Sequence, residues 1–113
     1  MIKLANTTKV FVPVTNNSGV TVDLSSELTA VIKAVGGATT YEARGSWLEK
    51  GKLYTDNINV VQFNLSEFDK DTIQAISNLI HAIFTKAEQL AVSVEINGTL
   101  YILESVDDIE KLF

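Results

Sequence analysis

The chain predicts an α+β domain with helices on one face of a mainly antiparallel sheet. Two long amphipathic helical stripes, strand-like stretches alternating between them, and a sharp Asn-Gly hairpin signal near the C-terminus point that way. The 113 residues fit one domain, spanning 1–113. With 46% apolar and 20% charged residues, the composition is that of a chain that buries a core.

The first strand is Lys9–Val14, with Pro13 placed where a strand ends or forms an edge. Asn16–Gly19 is a loop by composition. Leu24, Leu28, Val31, Ile32 and Val35 share one helical face, predicting a helix over 24–35. Asp23 or Ser25 is placed to cap its start, and Gly36-Gly37 to supply a left-handed stop. Thr39 to Tyr54, broken by Lys50-Gly51, predicts a β-hairpin. Asp56-Asn57 suggests a second turn before a strand over Ile58–Leu65. In that strand Val61, Phe63 and Leu65 alternate, while Ile58 and Val60 take the other phase. The strand is therefore buried on both faces or bulged.

The second helix, expected over 70–88, carries the broadest stripe: Ile73, Ile76, Leu79, Ile80, Ile83, Phe84 and Ala87. Asp69 is its expected N-cap, with Phe68 and Ile73 as a hydrophobic staple. Val92, Val94 and Ile96 then alternate up to Asn97-Gly98, a two-residue hairpin signal. Leu100–Leu103 returns, so Val92, Val94, Ile96, Tyr101 and Leu103 share a core face. Ser105-Val106-Asp107-Asp108 resembles a capping box before a short helix turning Val106, Ile109, Leu112 and Phe113 inward. The order is that of a ferredoxin-like βαββαβ two-layer sandwich with an added C-terminal hairpin strand and short helix. Both long helices then cover one sheet face. The other is solvated, covered by the C-terminal helix, or paired with a second subunit. Ile58, Val60, Leu100 and Ile102 have no assigned cover, and a homodimer is the expected way to provide it.

Chemistry-bearing residues are sparse. The absence of cysteine excludes disulfides, zinc–thiolate sites and thiol nucleophiles. The N-terminus lacks a signal-type apolar core, and no apolar run approaches the ~20 residues of a membrane span, so the expected location is cytoplasmic. A net charge of −5, with one arginine and eight lysines against fourteen acids, argues against nucleic-acid binding. Acids gather at Glu67, Asp69 and Asp71 and at Glu104, Asp107, Asp108 and Glu110. They either complement helix dipoles or form a surface for a basic partner. His81, the only histidine, flanks the second apolar stripe without acids at i±3 or i±4, so neither a metal site nor a serine triad is expected. No cofactor is expected.

One segment stands out. Tyr41-Glu42-Ala43-Arg44-Gly45-Ser46-Trp47 holds the only tryptophan and the only arginine, with Tyr54 just past the turn. Strand alternation puts Tyr41, Ala43, Gly45 and Trp47 on one face and Glu42, Arg44, Ser46 and Leu48 on the other. Gly45 within a strand suggests a bulge or a close backbone approach. Trp, Tyr and Arg anchor binding hot spots. Arg44, Trp47, Tyr41, Glu42 and Tyr54 are therefore the candidate binding residues. The competing reading makes Trp47 core and pairs Arg44 with Glu42 or Glu49.

Gly36-Gly37-Ala38-Thr39, Gly45-Ser46-Trp47, the Lys50-Gly51-Lys52 turn and Ile58–Phe63 together resemble a group of small proteins common in phages and plasmids, with a GG-x-T…G-x-W pattern. The likeness spans roughly residues 10 to 104. The group's late "(Q)EAV" junction reads Ala87-Glu88-Gln89-Leu90-Ala91-Val92 here. The resemblance implies a mobile-element accessory protein with a dimerising ferredoxin-like domain, and by analogy an inhibitor of a host factor or defence system. The leading functional expectation is thus a non-catalytic interaction module with a protein partner. The alternative is a small-ligand binder or cofactor-free enzyme with a cleft lined by Arg44, Trp47 and Tyr41, and with His81 as a further candidate. Cavity volume and converging polar groups discriminate between the two.

Overall fold

The computed structural model describes all residues from Met1 to Phe113. Five strands and two long helices follow in the order β1 (Asn6–Pro13), α1 (Ser25–Val35), β2 (Thr39–Glu49), β3 (Lys52–Leu65), α2 (Lys70–Lys86), β4 (Val92–Ile96) and β5 (Thr99–Leu103). A C-terminal 3-10 helix spans Val106–Lys111. The sheet order is β2-β3-β1-β4-β5, and every neighbouring pair is antiparallel. The first four strands have the ferredoxin-like arrangement, with β5 added beside β4.

Alternation along the strands divides their side chains between two faces. Val10, Val61, Phe63, Val92, Val94 and Leu103 point to the helical layer and are buried there against Val31, Ile76, Leu79, Ile80 and Ile83. Both long helices therefore cover one face, as their stripes require. Gly36 ends α1 in the left-handed conformation, with φ +97° and its N–H donating to the Ile32 carbonyl. Asp69 caps α2 by accepting from the Thr72 amide at 2.8 Å, which holds its carboxyl below the ordinary range.

Several local expectations need correction. Asp56 and Asn57 do not form a turn: β3 runs unbroken for 14 residues, and these two pair with Gly45 and Arg44. The ladder with β2 satisfies their backbone and overrides their turn preference. Gly45 forms no bulge, because its register with Asp56 continues without a slip. Val60 and Val61 are both buried and the register on either side runs without a slip, so β3 is not bulged; Val60, on the face without helices, lies between its strand partners Tyr41 and Phe11. The residue before α1 is Leu24, with no side-chain cap; Asp23 instead accepts from the Ser25 amide at 3.0 Å and hydroxyl at 2.6 Å.

Tyr101 stays 43% exposed although it shares the face of Val94, because β5 is an edge strand beyond the helical cover. Near the C-terminus, Ser105 makes no side-chain cap, while Asp108 reaches back to accept from the Glu104 amide at 2.9 Å. The 3-10 helix packs on α2 and β5, with Ile109 in the core. It thus extends the helical layer and leaves the opposite face bare, and Val106 and Phe113 remain partly exposed. No helix is long and apolar enough to cross a membrane.

Candidate functional site

The β2–β3 hairpin is the longest ladder in the sheet and closes at Lys50-Gly51, with φ values of 51° and 77°. Both positive values are those of a tight two-residue turn. The molecule measures 48 × 26 × 25 Å along its principal axes. Neither helix buries the outer part of this hairpin, and its side chains from Ser46 to Thr55 are exposed.

On the bare face the hairpin aligns its aromatic residues. Trp47 and Tyr54 are cross-strand partners. Their rings stack with centroids 5.5 Å apart and planes 16° from parallel, the offset contact that such rings favour. The Lys52 ammonium sits 5.2 Å from the Tyr54 centroid. Tyr41 lies further along β2, opposite Val60, which also pairs with Phe11 of β1. Lys9 pairs with Glu95 at 3.3 Å on this face. Glu95 and then Tyr41 hold the lysine above its ordinary value.

Two cavities adjoin Trp47. One, of about 540 Å³, is bordered by Phe11, Ala43, Gly45, Ile58, Ser93 and Leu100 among others. The second, of about 590 Å³, is bordered by the loop after β1, including Asn16 and Asn17, and by Tyr54. Pro13, Trp47, Asp56 and Gln89 border both. Both volumes lie in the range of small-molecule sites. The loops after β1 and α2 are tied together where Asn17 Nδ2 donates to the Glu88 carbonyl at 2.9 Å. Glu88 is one of only three non-glycine residues with positive φ. Just past this bend, Gln89 and Ala91 border the cavity of about 540 Å³ beside Trp47.

Of the residues singled out from sequence, Tyr41, Trp47 and Tyr54 share this face, each between 37% and 45% exposed. Trp47 is therefore not core. Glu42 and Arg44 take the opposite phase of β2, in register with Asn59 and Asn57. Arg44 is exposed and makes no ion pair with Glu42 or Glu49; the salt bridges are Lys9–Glu95, Lys86–Glu27 and Lys111–Asp108. It also borders the smaller cavity, beside Gly45.

Sequence reasoning missed Asp56, Phe11, Pro13 and Gln89. Asp56 was hidden by its turn-like neighbour Asn57, although its period-two relation to Tyr54 and Ile58 would have put it on the tryptophan face. His81 is exposed and borders a separate cavity of about 510 Å³ between α2 and the 3-10 helix. No group of three or more His, Cys, Asp or Glu side chains gathers to hold a metal ion.

No family model and no curated protein matches the chain. Solved structures do. A phage SAM lyase in complex with S-methyl-5'-thioadenosine matches with a TM-score of 0.64 at 20% identity, covering 93% of this chain and 95% of that one. A phage SAM lyase in its apo state matches with a TM-score of 0.62 at 21% identity over the same shares. The likeness establishes a shared fold over nearly the whole of both chains. It also overturns the leading functional expectation. A non-catalytic interaction module is the wrong starting point when the matched fold is that of a lyase with a small molecule bound. The small-ligand alternative is the better supported of the two.

Proposed function

We propose that this chain is a small-molecule lyase that cleaves S-adenosylmethionine and releases S-methyl-5'-thioadenosine. The observation that carries the reading is the near full-length correspondence with a lyase of that description. The paired cavities beside a half-exposed tryptophan support it.

The chemistry suits a chain with so few reactive groups. S-adenosylmethionine carries its leaving group as a sulfonium. When the bond from sulfur to the four-carbon arm breaks, its electron pair passes to sulfur, which becomes a neutral thioether. The arm's own carboxylate can close onto the same carbon, so one C–O bond forms as one C–S bond breaks. No proton moves, and neither water nor a redox partner is consumed. The protein has to hold the adenosine, bend the arm so that the carboxylate lies behind the reacting carbon, and keep water out. Cysteine, a catalytic histidine or a metal is not required.

In this reading the exposed face of Trp47 takes the adenine ring, a contact worth about 1–3 kcal/mol for a base stacked on an aromatic side chain. Its other partner, Tyr54, keeps the indole from turning. The Gly45 position leaves open space beside it, since a Cβ there would meet nothing within 4 Å. Such a protein, encoded by a phage or another mobile element, would act in the host cytoplasm by consuming the cell's S-adenosylmethionine.

The test is direct. Purified protein is incubated with S-adenosylmethionine without added metal or cofactor, and the products are separated by chromatography with mass detection. S-Methyl-5'-thioadenosine should accumulate in step with loss of substrate, and Trp47→Ala should slow this at least tenfold. If the parent protein releases no thioadenosine above the spontaneous rate, the reading fails.

A further inference from the structure

Asp56 is the one acidic side chain bordering the two cavities beside Trp47, and it borders both. Its place is set by the ladder. It stands opposite Gly45, with Tyr54 before it and Ile58 after it on the same face of β3. Gly45 contributes no side chain, so space is left next to the carboxylate. No structural role uses this carboxylate: it is exposed, forms none of the three salt bridges, and accepts no side-chain or backbone hydrogen bond. Arg44, the one basic residue bordering either cavity, borders the smaller one from the opposite phase of β2, in register with Asn57, and makes no salt bridge with Asp56. Lys52 sits over the Tyr54 ring. A carboxylate without a salt-bridge partner, beside Trp47 and among uncharged polar side chains such as Asn16, Asn17 and Gln89, is suited to a ligand that brings a positive charge.

We infer that Asp56 is the specificity residue of this site, selecting cationic sulfonium compounds over neutral thioethers of the same adenosyl shape. The inference rests on the proposed lyase reading and adds to it. Substrate and product differ there by one charge, because the sulfonium becomes a thioether as it reacts. Asp56 therefore attracts the substrate and loses that attraction once the bond has broken, which favours release of the product. A charge pair at about 4 Å in a partly solvated cleft supports a preference of about tenfold or more, and about tenfold corresponds to ~1.4 kcal/mol.

Titration calorimetry on the intact chain tests this with two stable probes, so that turnover does not interfere. Sinefungin carries an amine where the sulfonium methyl stands, and S-adenosylhomocysteine is the neutral thioether. The parent should bind sinefungin at least tenfold more tightly. Asp56→Asn should reduce that ratio at least fivefold while leaving S-adenosylhomocysteine affinity within about twofold. Asp56→Thr, uncharged and suited to a strand, is the second variant should the asparagine form fold poorly. An unchanged ratio in a folded variant, with a parent that still cleaves S-adenosylmethionine, overturns the role of Asp56 alone. A parent that binds neither probe and cleaves nothing overturns the lyase reading and this inference with it.

Discussion

The two hairpins of this sheet end in the same kind of turn and are put to opposite uses. Lys50-Gly51 and Asn97-Gly98 both have two successive residues with positive φ. The β4–β5 turn is laced to the body. The Asn97 N–H donates to the Thr7 carbonyl, the Asn97 Oδ1 accepts from the Thr7 N–H, and the Asn97 Nδ2 donates to Asn6 Oδ1, at 2.9, 2.9 and 3.0 Å. The β2–β3 turn has no such ties, and its flanking strands are exposed for several residues on either side. One hairpin closes the core; the other spends aromatic surface on solvent. The contrast teaches that the outer part of the long hairpin adds little to the core, while its inner part carries Val61, Phe63 and Leu65.

The largest effect that could break this contrast is a paired truncation. Phe63→Ala, in the fully buried part of β3, should cost about 3–5 kcal/mol in chemical denaturation. Trp47→Ala should cost roughly 1 kcal/mol or less, because the side chain keeps nearly half of its surface in solvent. Equal losses would mean that the hairpin is part of the core after all.

A second pair compares the turns. Gly98→Val should destabilise the domain by about 1–3 kcal/mol through backbone strain. Gly51→Val meets the same strain, but the outer hairpin can fray locally, so its effect on global unfolding should be the smaller. Thermal scans of both variants, with hydrogen exchange at Leu53 and Tyr54, would locate the loss.

The acid limb of stability should belong to the body. Asp69 is held low by the Thr72 amide, Asp23 by Ser25, Asp108 by the Glu104 amide and Glu27 by Lys86. Lowered carboxylates contribute stability that is present above their unfolded values, 3.8 for Asp and 4.5 for Glu, and lost as pH falls through the folded values. The melting temperature should thus fall as the pH drops below about 4. Asp69→Asn should lower it at pH 7 and flatten the acid slope. A melting temperature indifferent to pH down to 2 would contradict these assignments.

The smallest expected effect is that of Arg44→Ala. An exposed arginine without an ion pair should change stability by about 0–1 kcal/mol. If the proposed lyase reading holds and Trp47 takes the adenosine, thioadenosine release should stay within about twofold of the parent. A large loss of turnover would move the site's boundary to the other phase of β2.

The framework was legible from sequence wherever one periodicity dominated. The α2 stripe, its Asp69 cap, the Gly36 stop and the Asn97-Gly98 turn were all readable, because each rests on a local rule. The topology followed from element order. Asp56-Asn57 was misread because local turn preference favours a break that a long hairpin partner overrides, and no local rule contains the partner. Tyr41 and Trp47 were legible as one face; of the cleft expected along Arg44, Trp47 and Tyr41, Trp47 and Arg44 do border a cavity and Tyr41 borders neither of the two beside Trp47. The other wall comes from Phe11, Pro13 and Gln89, which only the fold brings near. The proposed lyase chemistry would leave no motif to find, since a neutral thioether departing from a sulfonium demands shape more than reactive side chains.

The position of β1 has a consequence for how the chain acquires its shape. The first strand to be synthesised is the central one: Thr8 pairs with Phe63 on one side and with Ile96 on the other. The β2–β3 hairpin can zip from its own turn as soon as it emerges, but the middle of the sheet cannot close until Ile96 has left the ribosome. At ~5–20 residues per second, that leaves Thr8, Lys9 and Val10 without their second neighbour for roughly 5–20 s. Sequence-distant pairing of this kind also slows refolding from denaturant. The segment most exposed to misassembly during biosynthesis therefore includes Val10, which ends fully buried in the central strand.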